Sequence, residues 1–359
     1  MRWRRVLLAA LAFPFPVLLA QGAEIGPAAS PLCQLKLEGL IEAGDGEKLS
    51  AALDAVPSEN GAANVSVCLN SPGGNYDEAL NLITIVLKRT NVATVIDRGA
   101  QCYSACAFLF LAGNAQKSED GEPGPDRTLD VHGTLGFHAP YLKGGAGADV
   151  AEVTTENFRR GVYAIAKLLE IDRRELFPRG LLAKALQVGP NYLLYVDTIE
   201  KAGVWSIKLK GYRPPAALTA RMLDQACRNK DLWTNFSHTV LARPADDPEE
   251  LHGYRQSDFP EIRGSSEPIR LTQGRYRVTL DMFCYEASNA CVVDVFSDAR
   301  KQLFLSLSMV PGDQRGPSPD QFAEQVTGSL NYPPTLEVIS TPLWYVFSPD
   351  TTLKSIALP

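Results

Sequence analysis

The first half of the chain alternates short β-type runs with amphipathic helical stretches. Apolar residues at helical spacing predict helices over 45–56 and 77–89. Runs rich in valine and isoleucine, at 64–70 and 92–96, predict strands next to them. Short links between alternating strands and helices are typical of an α/β domain whose parallel sheet is covered by helices. Further predicted elements before residue 214 are strands at 35–41 and 134–139 and helices at 104–111, 154–170, 178–187 and 198–202.

The pattern changes after Pro214-Pro215, which we take as a domain boundary. A helix is predicted at 217–228, and the chain beyond it is rich in β-type runs. The prediction is a first domain over 30–213 and a smaller, β-rich C-terminal domain over 214–359. Within the first domain, the polar stretch 117–130 and the glycine-rich stretch 141–148 predict exposed loops. The strands predicted in the second domain lie at 275–284, 291–296, 303–309, 336–339 and 344–347.

The first 23 residues have the features of a signal peptide. Three arginines precede the apolar stretch 6–20, and small residues follow it, which predicts cleavage after Gly22 or Ala23. We therefore expect an exported protein, periplasmic or secreted. No later apolar run is long enough to span a bilayer, so no integral membrane span is expected after removal of the leader.

Charge narrows the class of partner. The formal net charge of the 359-residue chain is −6, and the leader carries three arginines and no acidic residue, so its removal leaves −9. Nucleic-acid binding needs a basic surface to contact phosphates, and the sequence contains no basic stripe. We therefore expect no nucleic-acid partner.

Three short segments contain the candidate chemistry. Ser104 begins a strongly apolar predicted helix, where it could cap the helix or act as a nucleophile beside free N–H groups. The turn 71–74, Ser-Pro-Gly-Gly, follows a strand and brings backbone N–H groups close to a bound molecule or simply reverses the chain. His138 follows a predicted strand and is one of four histidines, so it is a candidate general base.

Taken in order, these segments resemble the proteolytic subunit of the Clp protease and the wider ClpP/crotonase superfamily. The resemblance covers about residues 35–207, and exported bacterial members share the Cys-x-Ser-Ala-Cys segment. It implies a spiral of βαβ units, with Ser104 as nucleophile, His138 as base, and the N–H groups of Gly74 and Ala105 as oxyanion hole. The matching segments are LNSPGGNYDEAL, CYSACAFLFLAG and LGFHAP.

This sequence departs from the family pattern at the residue that orients the histidine. Aligning 194–203 with the family pattern places Asn191 where the family has an aspartate. An asparagine can orient an imidazole but stabilises the imidazolium less than a carboxylate does. Asn191 is our first choice for the third catalytic residue, and Asp197 is the nearby carboxylate alternative.

The seven cysteines all follow the leader, so export would permit disulfides. Cys284 and Cys291 lie on two strands predicted to form a hairpin, and we expect a cross-strand disulfide between them. Cys102 and Cys106 flank Ser104, and we expect one or both to form disulfides that hold the nucleophile loop, with Cys33 and Cys68 among the available partners. A nucleophilic Cys102 paired with His138 is the alternative chemistry. The sequence shows no metal-ligand cluster, and we expect neither a metal nor another cofactor.

The leading hypothesis is an exported serine hydrolase, a peptidase acting on peptide or protein substrates. A catalytically weak or inactive scaffold or binding protein of the same fold is the alternative, favoured by Asn191 and by the extra domain. A crotonase-like acyl-CoA enzyme is disfavoured by export. The predicted helix 154–170 matches the region that mediates assembly in the family, so the resemblance also implies homo-oligomerisation.

Overall fold

The computed structural model describes residues 22–57, 64–116, 123–140, 150–172, 175–189, 191–236, 264–272, 274–284, 287–311 and 341–358. These residues form seven α-helices and fourteen strands. The helices are α1 (Asp45–Asp54), α2 (Tyr76–Leu87), α3 (Ala105–Leu111), α4 (Val150–Ile171), α5 (Arg179–Gln187), α6 (Ile199–Val204) and α7 (Ala220–Phe236). The strands are β1 (Glu24–Pro27), β2 (Leu35–Glu38), β3 (Val65–Asn70), β4 (Asn91–Ile96), β5 (Gln101–Tyr103), β6 (Asn114–Ala115), β7 (Gly124–Pro125), β8 (Arg127–Asp130), β9 (Thr134–Phe137), β10 (Leu194–Tyr195), β11 (Lys208–Lys210), β12 (Arg275–Cys284), β13 (Ala287–Ser297) and β14 (Leu303–Pro311).

An eight-stranded sheet forms the centre of the first half of the chain. Its middle strands β2, β3, β4, β8 and β11 are parallel neighbours in that order, while β1, β6 and β7 add antiparallel pairs. Parallel strands need helical crossovers, and α1 and α2 follow β2 and β3 along the chain. The structure therefore confirms the predicted mixed α/β class and the helices predicted at α1, α2 and α3 within a few residues.

The helix α3 lies in the interior of this half. All seven of its residues are buried, which fits a helix that is apolar all round. The helix α2 packs against it and begins at Asn75, whose side chain accepts a hydrogen bond from the Glu78 N–H at 3.1 Å. Apolar side chains of α2 that face the core include Leu82, Ile83 and Val86.

The strand β8 corrects the prediction that residues 117–130 form a loop. Residues 127–130 lie in the middle of the main sheet, between β4 and β11. The polar sequence is misleading because Arg127 is fully buried and its guanidinium donates to the carbonyls of Leu111 at 3.0 Å and Trp205 at 2.8 Å. Burial lowers the pKa of Arg127, and the nearby Asp172 carboxylate opposes this shift.

A second, three-stranded sheet has the order β10-β9-β5. β5 and β9 are parallel, with Tyr103 opposite Gly136, and β10 runs antiparallel to β9. A bridge between Ser71 and Cys102 joins this sheet to the end of β3. The three candidate segments therefore meet at the carboxyl ends of β3, β5 and β9.

The third sheet, β12-β13-β14, is antiparallel and confirms the three long strands predicted after residue 275. Its inner face packs on α7 to form a second hydrophobic core. The predicted strand 344–347 is wrong: residues Leu343–Val346 form a 3₁₀ turn, because Trp344 packs on Trp233 of α7 instead of pairing along a sheet. The predicted strand 336–339 and the predicted loop 141–148 lie outside the described residues.

Residues 341–358 contact both cores. Trp344, Leu353 and Ile356 belong to the first core, whereas Val346 belongs to the second. Chain beyond the boundary predicted at residue 214 thus contributes to the core of the first domain. Within the described residues, no helix is long and apolar enough to cross a membrane.

Candidate functional site

Ser104 lies between β5 and α3 in a backbone conformation that L-residues seldom adopt. Its φ is 56° and its ψ is −124°. Such a conformation costs about 1–3 kcal/mol and persists only where its surroundings impose it. The Ser104 side chain makes no capping hydrogen bond to α3 and is partly exposed. The residue is therefore not fully buried at the head of the helix, and its hydroxyl does not cap the helix.

The Ala105 N–H is the first backbone donor of α3, directly after Ser104. The Ser104 carbonyl accepts from the N–H groups of Ala107 at 3.0 Å and Phe108 at 3.4 Å, as a residue before a helix should. Across the described residues, the Ala105 N–H donates to no acceptor. A Cβ on Gly73 would lie 3.1 Å from this nitrogen, so the donor lies beside the glycine turn.

The turn after β3 contacts Ser104 directly. A Cβ on Gly73 would lie 2.7 Å from the Tyr103 carbonyl oxygen and 2.8 Å from Ser104 Cβ, and Gly73 has a φ of 99°. Only glycine fits here without displacing the loop of Ser104. The Ser71 hydroxyl accepts from the Gly73 N–H at 3.1 Å and holds the turn from within.

Gly74 presents a second free N–H group. Ile41 holds this turn from the far side, donating to the Gly73 carbonyl at 2.9 Å and accepting from the Asn75 N–H at 2.8 Å. Ile41 and Gly74 form a parallel bridge in which the Gly74 N–H makes no hydrogen bond to Ile41. The exposed Gly74 N–H has no acceptor in the part of the chain that the structure describes.

His138 follows β9 at the same edge. The Ser104 N–H donates to the Gly136 carbonyl at 3.0 Å, and neighbouring strands lie about 4.8 Å apart, so Ser104 and His138 leave adjacent strands side by side. His138 is buried, and its Nδ1 lies 2.7 Å from the Ala139 carbonyl oxygen. A carbonyl oxygen only accepts, so this bond places the proton of a neutral ring on Nδ1 and leaves Nε2 as the basic nitrogen. No hydrogen bond joins the Ser104 hydroxyl to His138 among the described residues.

Neither candidate for the third catalytic residue has a described hydrogen bond to His138. Asn191 is exposed, and no described hydrogen bond links its side chain to the imidazole. Asp197 is also exposed, and its carboxylate forms an ion pair with Lys201 at 2.6 Å. His138 Nδ1 lies beside the Ala139 carbonyl, a backbone group that no residue-type pattern in the sequence could have indicated.

The disulfides answer two questions about the cysteines. Cys102 bonds to Cys106 across Ser104, so both sulfurs are committed to a structural bond and Cys102 is not a free nucleophile. Cys33 bonds to Cys68, which joins the loop before β2 to β3. Three disulfides are compatible with an exported protein.

The expected disulfide between Cys284 and Cys291 is wrong, since Cys291 bonds to Cys227 of α7. In the hairpin, Cys284 lies opposite Ala287, and Cys291 lies opposite Leu280. Four residues of extended strand separate the two ladder positions by about 13 Å, beyond the reach of a disulfide. The Cys291 side chain instead faces the second core, where α7 lies.

Gly73 is the glycine that lies against Ser104, whereas the family resemblance indicated Gly74. The signal was present, because two adjacent glycines after a buried strand suggest two positions where a side chain would not fit.

Compared with models of known protein families and with curated proteins, the chain matches none.

Proposed function

We propose that this protein is an exported serine hydrolase, a peptidase that acts on peptide or protein substrates through an acyl-enzyme. In this proposal its first domain has the βαβ spiral of the ClpP/crotonase superfamily. The observation that carries the proposal is the backbone of Ser104. A partly exposed serine held at a positive φ, with a hydroxyl that caps nothing, and unbonded N–H groups at Ala105 and Gly74 form the arrangement expected of a nucleophile beside an oxyanion hole.

Each group has one role in the proposed reaction. Ser104 Oγ attacks the substrate carbonyl carbon while His138 Nε2 takes the hydroxyl proton. The carbonyl oxygen becomes an oxyanion that accepts from the Gly74 and Ala105 N–H groups. The carbon–nitrogen bond then breaks, the amine leaves with the proton from His138, and an ester on Ser104 remains. Water, activated by the same histidine, hydrolyses the ester and restores Ser104.

The proposal requires a short movement of His138 or Ser104, because their side chains are not hydrogen-bonded to each other in this structure. Such contacts often tighten only when substrate binds. Asn191 remains our choice for a residue that reaches the imidazole in that state. An asparagine carries no charge and stabilises an imidazolium less than a carboxylate does, so we expect slow catalysis.

A fluorophosphonate probe on the exported protein tests the proposal. We expect a covalent adduct on Ser104, complete loss of labelling in Ser104→Ala, and a loss of about 100-fold or more in labelling rate in His138→Ala. Ser206→Ala is the matched control, since Ser206 is exposed and also has a positive φ, 54°, yet lies after α6, away from the three strand ends. It should label like the unchanged protein.

The same experiment decides between the hydrolase and a binding protein that kept the fold. The alternative of a binding protein is favoured by the missing hydrogen bond between Ser104 and His138 and by the exposed position of Asn191. A folded protein that takes up no probe, or one that labels equally after Ser104→Ala, would exclude the hydrolase. Folding in each variant is checked by the thermal unfolding midpoint.

Homo-oligomerisation through α4 is part of the same proposal. Val162, Tyr163 and Leu169 are each more than half exposed on this helix, while Ala164 and Leu168 face the core. Light scattering after gel filtration measures the mass of the particle. Val162→Asp would reduce that mass to a single chain if α4 is the contact, whereas a monomeric unchanged protein would remove this part of the proposal.

A further inference from the structure

The side chains of Asp45 and Lys48 bind the backbone of Ala23, and the proposed reaction does not use these contacts. Ala23 is 2% exposed, and its backbone nitrogen donates to Asp45 Oδ2 at 3.0 Å. The Lys48 ammonium donates to the Ala23 carbonyl at 3.4 Å and to Asp45 Oδ1 at 2.9 Å. The Asp45 side chain is completely buried and also accepts from the Glu42 N–H at 2.9 Å.

A buried carboxylate is stable only when charge and hydrogen bonds compensate it. The Lys48 side chain is about half exposed, so much of its charge is screened by water. On the Oδ2 side, the described donors are two backbone nitrogens, of Ala23 and Glu42. A positive charge at the Ala23 nitrogen would strengthen the first of these into a charge-assisted hydrogen bond.

The sequence before Ala23 would create that charge. Ala20 and Gly22 are small residues at the third and first positions before the Gly22–Ala23 bond, as a signal peptidase requires. Cleavage one bond later would place Gln21 at the third position, which fits less well. Gly22 also lies against Asp45, where a Cβ would come 2.5 Å from Oδ1.

We propose that the bond between Gly22 and Ala23 is the processing site and that the new α-ammonium of Ala23 is bound by Asp45. Water hydrolyses the peptide bond in the signal peptidase, Gly22 leaves with a carboxylate, and the Ala23 amine takes up a proton. The ammonium stays where the amide nitrogen lies in the structure, and one neutral hydrogen bond becomes a buried ion pair. The proposal rests on the signal peptide and does not depend on the hydrolase activity.

The pair would also reach the proposed site through the backbone. Asp45 fixes the Glu42 N–H, and Glu42 follows Ile41, which holds the turn at Gly73 and Gly74. Processing would thus stabilise the loop that supports Gly74, whose N–H is one of the two proposed oxyanion donors. This consequence, unlike the ion pair itself, depends on the proposed function.

The first test is the N-terminus of the exported protein. The full-length chain is expressed with its leader, purified from the oxidising compartment, and characterised by intact mass and N-terminal sequencing. We expect a chain that begins at Ala23. A chain that begins at any other residue, or that keeps its leader, overturns the proposal.

The second test separates an ion pair from an ordinary hydrogen bond. One glycine inserted between Gly22 and Ala23 moves the ammonium by one residue and occupies the place where only glycine fits. In the protein that begins at Ala23, Asp45→Asn should lower the unfolding midpoint by about 6 °C or more. In the glycine-inserted protein, the decrease in unfolding midpoint caused by Asp45→Asn should be smaller by at least about 4 °C. Equal decreases in the two backgrounds would show that the ammonium is not bound by Asp45.

A labelling measurement covers the case in which Asp45→Asn does not fold. With Asp45 intact, the α-amine of the protein beginning at Ala23 should react with an amine-selective ester at pH 7 about 10-fold more slowly than that of the glycine-inserted protein. This follows because the ion pair with Asp45 favours the protonated amine, and only the unprotonated amine has a lone pair that can attack the ester. Equal reactivity overturns the proposal, and neither readout involves Ser104.

Discussion

Gly73 is the residue on which the position of Ser104 depends most directly. Its α-carbon faces the Tyr103 carbonyl and Ser104 Cβ so closely that a methyl group would overlap both. Gly73→Ala must therefore shift the loop of Ser104 and also strain a φ of 99°. We expect a loss of about 2–5 kcal/mol in the free energy of unfolding and loss of fluorophosphonate labelling in the protein that remains folded.

Gly99→Ala is the control for the strain alone. Gly99 has a φ of 74°, but a Cβ there would meet nothing within 4 Å. The cost should be about 1–2 kcal/mol with labelling unchanged. If both alanine variants label equally, the contact between Gly73 and Ser104 has no part in placing the nucleophile.

Between β5 and α3, the Cys102–Cys106 disulfide spans the strained residue. Both cysteines are fully buried, and the bond fixes the end of the strand to the first turn of the helix. It closes a loop so short that its removal should cost only about 2 kcal/mol of stability through unfolded-state entropy. Replacing both cysteines by alanine should nevertheless slow fluorophosphonate labelling by about 10-fold or more, because Ser104 is no longer held at both ends.

The Cys33–Cys68 disulfide provides the comparison. Its sequence separation is 35 residues, so the same double replacement should cost about 4 kcal/mol. Labelling should stay within about 2-fold, since this bond does not touch the loop of Ser104. The two disulfides should therefore rank in opposite order for stability and for reactivity, and the same order in both assays would count against a positioning role for Cys102–Cys106.

The elements that the sequence predicted well are those whose burial follows a simple period. α1, α2 and the strands β3 and β12 show clear apolar spacing and were predicted within a few residues. β8 was missed because the buried Arg127 makes the segment look like a surface loop, although backbone carbonyls satisfy its guanidinium. Trp344 was assigned to a strand on its β propensity, whereas its packing on Trp233 decides the local conformation.

The site could be predicted in part for a similar reason. Ser104, His138 and the glycine turn follow three strands, and the carboxyl ends of neighbouring strands meet at one edge, so their proximity follows from topology. The contact between the His138 ring and the Ala139 carbonyl does not follow from topology, because a backbone carbonyl carries no sequence signature. The choice between Asn191 and Asp197 depends on side-chain orientation in a link between α5 and α6, which residue types alone do not define.

Across the whole molecule, Asn229 of α7 connects the two cores. It is buried, and its side-chain nitrogen donates to the carbonyls of Tyr345 at 2.7 Å and Phe347 at 2.9 Å. Asn229→Ala leaves both carbonyls without this donor, so we expect a loss of about 2–4 kcal/mol in the free energy of unfolding. Limited proteolysis should cut more rapidly within residues 341–358.

Asn81→Ala on the exposed face of α2 is the control, with an expected change of at most about 0.5 kcal/mol. Denaturant unfolding of both variants measures the difference. Equal stabilities, or unchanged proteolysis in Asn229→Ala, would mean that residues 341–358 are held mainly by the packing of Trp344.

The return of residues 341–358 to the first core affects the order in which the protein can form. The His132 ring contacts the Leu358 carbonyl across 226 positions, and the Ile199 N–H donates to the Thr351 carbonyl. A ribosome releases the N-terminal part first, and contacts between distant residues form late and slowly. The nascent chain therefore contains Ser104, His138 and the glycine turn long before residues 341–358 can complete the first core. Synthesis of this C-terminal segment therefore determines when the site can be completed.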